Sequence, residues 1–291
     1  MEKIKNNLYV TFTMDCERIR RYSPPGGPET WELSENAIKG YIKILRENGL
    51  KCTFFIVPET AHKHRDLFLQ ALDYGFELGM HYHPQSFLDG RYTKYLGEYS
   101  YEEQLNQLGQ ALDYWRDSIG FRPESFRPGN ASSNKYTYKV LYKLGFRQAS
   151  TYIPQRNLPK YYAVYLDANP YPHHVKNMDL LEVPMTSDIR VKPLLNHDPP
   201  HLRIEWGRLE KLISILNFWV KHLVEKDIPV KSIVVLTHNF INYSDETVKH
   251  TIRLRGLIKN ILEIAKLYNL KLIPVTIKQL HEIVDRNGIT I

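Results

Sequence analysis

Only two cysteines, Cys16 and Cys52, occur in 291 residues, so neither a disulfide framework nor a cysteine-rich zinc site can be built, and the usage suits a reducing compartment. Long apolar runs are missing too. Nothing approaches the roughly 20 consecutive apolar residues of a membrane span. The charged and polar start, Met1 to Asn7, is followed by Leu8 to Met14, which is too short and too rich in Thr for a signal-peptide core. The expectation is a soluble, unexported, cytoplasmic protein with no transmembrane segment. No Gly-rich phosphate loop and no Gly-x-Ser-x-Gly elbow is found, which argues against a P-loop NTPase, a Rossmann dehydrogenase and an α/β-hydrolase.

Charge imbalance is also small. Lys plus Arg exceed Asp plus Glu by 39 to 32, a formal +7, and Arg18, Arg20 and Arg21 form the only tight basic cluster. Without an accompanying motif this excludes nucleic acid as the expected partner, and leaves solubility or attraction to an acidic or phosphate-linked sugar. What is abundant is core material, 43% hydrophobic residues against 24% charged. No Gly-, Ser- or Pro-rich linker divides the chain, so residues 1–291 are read as a single domain.

Short β-rich runs alternate with helical stretches. The runs are Leu8 to Met14, Cys52 to Val57, Phe76 to Met80, Ser125 to Phe126, Phe146 to Thr151, Leu180 to Val183, Ile233 to Thr237 and Leu272 to Val275. Helices are expected near 34–48, 61–74, 100–118, 134–144, 205–226, 246–268 and 277–285. Ser34 is read as a helix cap, Gly75 and Gly145 as C′ glycines, and Ser100 with Glu103 and Thr276 with Gln279 as capping boxes. Seven or eight βα units and a mainly parallel sheet follow.

Strand ends carry the chemistry. The first run delivers Asp15-Cys16-Glu17 and the third delivers His81-Tyr82-His83-Pro84. Residues two apart on an extended chain share a face, so two carboxylates and two imidazoles are each set to point one way. Two His plus a carboxylate, with positions open to water, form a catalytic zinc set that also suits Fe(II) or Co(II). The blander reading is a group of solvated residues at strand ends. Arg127 and His238 follow two further strands; an ordinary ion pair and a core histidine are their bland alternatives. Weaker candidates are Asp167 and the pair His173-His174, in a loop rich in Pro and Tyr, and Tyr82, Tyr92, Tyr95 and Tyr99, which flank the site and suit stacking on sugar faces. His62, His64, His197 and His201 read as surface groups.

Five segments together resemble the polysaccharide deacetylase superfamily (NodB homology, carbohydrate esterase family 4). They are Thr11-Phe-Thr-Met-Asp15-Cys-Glu17, Lys51-Cys-Thr-Phe-Phe-Ile-Val57, Gly75-Phe-Glu-Leu-Gly-Met-His81-Tyr-His83-Pro84, Phe126-Arg127-Pro-Gly129 and Val235-Leu-Thr-His238. The resemblance runs from about residue 8 to 280. It implies a distorted (β/α)7-type barrel, a divalent metal of the Zn, Co or Ni type, and an N-acetylated sugar or oligosaccharide as substrate. By the same resemblance Asp15 is the catalytic base, Glu17, His81 and His83 are the metal ligands, Arg127 orients the base and His238 is the general acid. Tyr82 and Asp167 are the expected substrate contacts.

Three departures stand out. The family's paired histidines lie four apart, whereas position 85 is Gln85. The two acids are separated by Cys16, which leaves their division into base and ligand open. The acid that tunes the family's acid His is missing near Gln148 to Ser150, with Asp167 the substitute considered. The alternatives are therefore an allantoinase-like cyclic amide or ureide hydrolase without metal, and a non-catalytic glycan-binding descendant.

Overall fold

The computed structural model describes residues 6–24, 26–192 and 194–286. Its strands are β1 (Asn7–Cys16), β2 (Cys52–Ile56), β3 (Glu77–Tyr82), β4 (Ser125–Pro128), β5 (Gln148–Ala149), β6 (Asn157–Leu158), β7 (Ala163–Val164), β8 (His173–His174), β9 (Leu181–Glu182), β10 (Ser232–His238) and β11 (Lys271–Pro274). The α-helices are α1 (Trp31–Glu47), α2 (Pro58–Lys63), α3 (Arg65–Asp73), α4 (Tyr101–Ile119), α5 (Thr137–Lys143), α6 (Leu209–Glu225), α7 (Lys249–Leu267) and α8 (Ile277–Arg286).

The main sheet runs β10-β1-β2-β3-β4-β5-β9-β8, and every pairing along it is parallel except β8 with β9. β1 divides one edge between two partners: Asn7 to Val10 pair with β11, and Phe12 to Cys16 pair with β2. This is the expected α/β barrel, distorted into a curled half-barrel. No ladder joins β9 to β10 among the described residues. The irregular chain after β9 bridges the gap instead, where the Ile204 N–H donates to the Leu236 carbonyl (2.9 Å) and the Leu236 N–H to that of Leu202 (2.8 Å).

Side-chain alternation sorts each strand into an outer and an inner face. Leu8, Val10, Phe12, Met14 and Cys16 of β1, Leu78, Met80 and Tyr82 of β3, and Ile233 and Val235 of β10 face the layer of helices in one large apolar core. The intervening residues face inward, where Tyr9, Phe55, Val234 and Leu236 join Leu280 and Val284 of α8. Both cysteines are buried free thiols. No helix among the described residues is long and apolar enough to cross a membrane.

The capping boxes at Ser100–Glu103 and Thr276–Gln279 form in both directions, and Gly75 and Gly145 adopt the left-handed conformation expected at C′. Ser34 does not cap α1. Thr30 does, its Oγ1 accepting from the Leu33 N–H at 3.1 Å, while Ser34 lies buried inside the helix. The helix expected over 61–74 is two, α2 and α3, meeting at His64. That histidine is buried and hydrogen-bonded to Ser34 Oγ at 3.0 Å, so it is not a surface group.

Candidate active site

The inner faces of β1, β3, β4 and β10 bring Asp15, His81, Arg127 and His238 to one level at the C-terminal end of the sheet. Asp15 is in register with His238, and His81 with Arg127. Glu17 and His83 lie just beyond their strands. Backbone turns back to the His83 carbonyl from Ser86 and Phe87 fix the chain behind Pro84. The Asn239 side chain clamps Glu17 from both sides, accepting from its N–H (2.8 Å) and donating to its carbonyl (2.9 Å).

These residues line a cavity of about 320 Å³. Glu17 Oε1 lies 3.2 Å from His81 Nε2 and 3.0 Å from His83 Nε2, so the shorter histidine spacing still brings both rings to one carboxylate. Gln85 is not needed for that convergence. Gly129 makes room for it: a Cβ there would stand 2.1 Å from His83 Nδ1.

Asp15 divides its two oxygens. Arg127 Nη1 donates to Oδ1 at 2.7 Å and to Thr13 Oγ1 at 2.9 Å, while Nη2 donates to Ser150 Oγ at 3.0 Å. Oδ2 faces the cavity, 3.9 Å from His81 Nε2 and 4.0 Å from His238 Nε2. Burial pushes the Asp15 carboxyl up, but the charges of Arg127, His81 and His238 outweigh it and hold the group below its ordinary value. Burial likewise opposes ionisation of Glu17, and the two imidazoles together hold its carboxyl well below the usual range.

The cluster fits a divalent ion. Its three donors are the types a zinc-like ion takes, and one ligand atom from each falls within 4.8 Å of the others. Glu17 Oε2 is buried without a hydrogen-bond partner among the described residues. His81 Nδ1 lies 2.8 Å from the Arg127 carbonyl, which accepts only, so Nδ1 donates to it and Nε2 is the nitrogen directed at Glu17.

Sequence reasoning missed the partner of His238. Glu205 Oε1 accepts from the His238 N–H at 2.6 Å and lies 3.2 Å from its Nδ1. Burial raises the Glu205 carboxyl, but His238 and Arg203 pull it far below its ordinary range. Asp167, the expected substitute, is exposed and does not line the cavity. Tyr82 does not line it either: one residue past inward-facing His81, it points to the helices and donates to Gln107 Oε1 at 3.0 Å. Tyr92, Tyr95 and Tyr99 are absent from the lining, although Tyr95 packs edge-on against Tyr161, which is present. His173 and His174 form β8, away from the site. His201, read as a surface group, is buried and lines the cavity with Tyr161, Arg203, Trp206 and Phe240.

Residues 26–149 match the family model described as polysaccharide deacetylase. A search by sequence among curated proteins finds no match. Solved structures are similar over nearly the whole chain. A Mycobacterium smegmatis protein assigned to the polysaccharide deacetylases has a TM-score of 0.62 and 18% identity, with 98% of this chain and 93% of that one covered. A probable polysaccharide deacetylase from Pseudomonas aeruginosa PAO1 has 0.64 and 13%, covering 97% and 92%. Puue allantoinase has 0.64 and 13%, covering 97% and 91%. Residues 26–149 thus match the polysaccharide deacetylase family model, and the chain shares the fold of these solved structures over nearly its full length.

Proposed function

We propose that the protein is a metal-dependent hydrolase that removes acetyl from an N-acetylated sugar or glycan precursor. The observation that carries this reading is the position of Asp15 Oδ2. It is the free oxygen of an arginine-held carboxylate, set between an imidazole of the Glu17, His81, His83 cluster and the Glu205-backed imidazole of His238.

Amide hydrolysis needs an activated water, a countercharge for the tetrahedral oxyanion and a proton for the departing amine. Glu17, His81 and His83 would hold a divalent ion, whose chemistry is to polarise the acyl oxygen and acidify a water. Asp15 Oδ2 accepts the proton of the attacking water, because Oδ1 is occupied by Arg127. The hydroxyl oxygen then bonds to the acyl carbon. His238 Nε2 gives its proton to the nitrogen as the C–N bond breaks, releasing acetate and the free amine. Glu205 keeps the proton-bearing Nδ1 facing itself, which aims Nε2 into the cavity. Ile153, Met185 and Leu236 offer an apolar wall for a methyl group, and Tyr161, Trp206 and Phe240 offer ring faces for a sugar.

Glu205 also bears on the glycan-binding alternative, whose main support was the missing acid. The carboxylate is present and comes from another segment. The test is acetate release from a panel of N-acetylated mono- and oligosaccharides with added Zn²⁺, Co²⁺ or Ni²⁺. Turnover that needs one of these ions, and is lost in Asp15→Asn, is the expected result. Activity on a cyclic amide or ureide without metal would instead favour the allantoinase-like reading.

A further inference from the structure

A second cluster of ligand-type side chains lies away from the cavity, where α8 meets the β8–β9 hairpin. His281 of α8 is only 4% exposed, and its Nε2 has no hydrogen-bond partner among the described residues. That nitrogen lies 3.4 Å from Asp285 Oδ2 and 3.8 Å from Asp179 Oδ1. His174 Nε2 lies 3.6 Å from Asp285 Oδ1. One ligand atom from each of His174, His281 and Asp285 falls within 4.8 Å of the others.

Hydrogen bonds hold the His281 ring from behind. The Gln148 side-chain amide lies 2.9 Å from Nδ1, and its other end lies 3.1 Å from Ser125 Oγ, so Nδ1 is engaged and Nε2 is the nitrogen turned toward Asp285 and Asp179.

A buried ring nitrogen without a hydrogen-bond partner among the described residues, aimed at carboxylate oxygens 3.4 and 3.8 Å away, leaves room for a cation between them. From this juxtaposition we infer that His174, His281 and Asp285 form a second site for a divalent transition ion of the zinc type, with Asp179 available as a fourth donor. Two imidazoles and a carboxylate are the appropriate ligand types. Ligands about 2.0–2.2 Å from a tetrahedral centre lie roughly 3.4 Å apart, close to the two shorter separations. His281 and Asp285, four apart on α8, share a helix face, and Gln148 buttresses the first imidazole from behind. Asp179 is shared with Arg147, whose Nε is 3.7 Å from Oδ2. Asp285 is 52% exposed, so the ion enters directly from solvent. Its role is a staple between the last helix and the sheet edge, independent of the reaction proposed above.

The experiment is Zn²⁺ titration of the chelator-stripped full-length chain by calorimetry, with circular dichroism as a fold check. Wild type is expected to bind two equivalents. Asp285→Asn and His174→Gln, both outside the buried core, should each lose one equivalent or weaken it at least tenfold, and reduce the rise in Tm on adding Zn²⁺. Glu17→Gln should lose the other equivalent and keep this one. A stoichiometry unchanged by both Asp285→Asn and His174→Gln would overturn the inference, as would a Glu17→Gln protein that binds no zinc. If wild type binds one equivalent that survives Glu17→Gln but not Asp285→Asn, the staple stands and the metal-dependent reading of the active site fails.

Discussion

Glu205 Oε1 takes two contacts from one residue, the backbone N–H and the ring Nδ1 of His238, so carboxylate and imidazole are locked in both position and tautomer. In the proposed reaction this leaves His238 Nε2 as the proton donor. Glu205→Gln keeps the size but removes the carboxylate charge that faces the His238 ring. The expected result is a kcat on the order of 10² lower with KM little changed, which is the mark of a transition-state role. Steady-state kinetics on the best N-acetylated substrate decide it, and wild-type kcat in the variant would count against the assignment.

Asp15 and Arg127 meet through one oxygen, leaving the other for chemistry. Asp15→Asn should reduce kcat by about 10²–10⁴, while zinc binding by Glu17, His81 and His83 persists. Measuring both separates base from ligand. If Asp15→Asn instead loses the ion and Glu17→Gln retains it, the two acids have exchanged roles.

Much of this arrangement is legible in the chain because strand alternation is a strict code. Asp15, His81, Arg127 and His238 each end a β-rich run, and parallel pairing brings them to one level. The same code, applied one residue further, would have turned Tyr82 toward the helices. Glu205 could not be read this way. It sits on no strand of its own; its place comes from two backbone hydrogen bonds between the irregular chain at Leu202 to Ile204 and Leu236 of β10. Such closure depends on tertiary packing rather than periodicity, and Glu205 reads as the first residue of the helix expected over 205–226, which instead starts at Leu209. For the same reason His201 reads from the sequence as a surface group, and Arg203 carries no signal at all. Ser34 misled because a serine at the start of an apolar-periodic stretch resembles a cap, whereas Thr30, one turn earlier, holds the free amide.

Gly129 tests the metal cluster without touching a ligand. A Cβ at this position would overlap the His83 ring, with Nδ1 only 2.1 Å away, so Gly129→Ala must displace the imidazole or the β4 turn. The expected loss is about 10–100-fold in metal affinity or activity, as for other changes to groups that orient ligands. Unaltered zinc affinity and turnover would show that His83 is not held in the ligand set.

His201 offers the cavity an acceptor. Burial, its main influence, drops the imidazole to a pKa of about 4, so the ring is neutral. Nδ1 lies 2.8 Å from the Pro199 carbonyl and must carry the proton. Nε2 is thus a buried lone pair without a partner among the described residues, suited to a substrate hydroxyl. His201→Phe preserves packing on Trp206 and should raise KM about 3–10-fold, the worth of one ordinary hydrogen bond, with kcat nearly unchanged. A kcat loss at constant KM would point to a different role.

Glu182 sets a pH dependence of stability separate from catalysis. The side chain is fully buried, and burial lifts its carboxyl to about 7 despite hydrogen bonds from Thr151 and Tyr138. In the unfolded chain the group returns to the ordinary value of 4.5. Between these limits the native state holds a proton that the unfolded state has lost, so rising pH favours unfolding. The contribution approaches ~1.4 kcal/mol per pH unit over that window, is absent below 4.5 and levels off above 7. Glu182→Gln cannot ionise and should flatten this slope, leaving a smaller stability difference between pH 5 and pH 7.5 than in wild type. Urea unfolding at the two pH values measures it directly. Equal pH dependence in the two proteins would mean that Glu182 ionises normally in the folded chain.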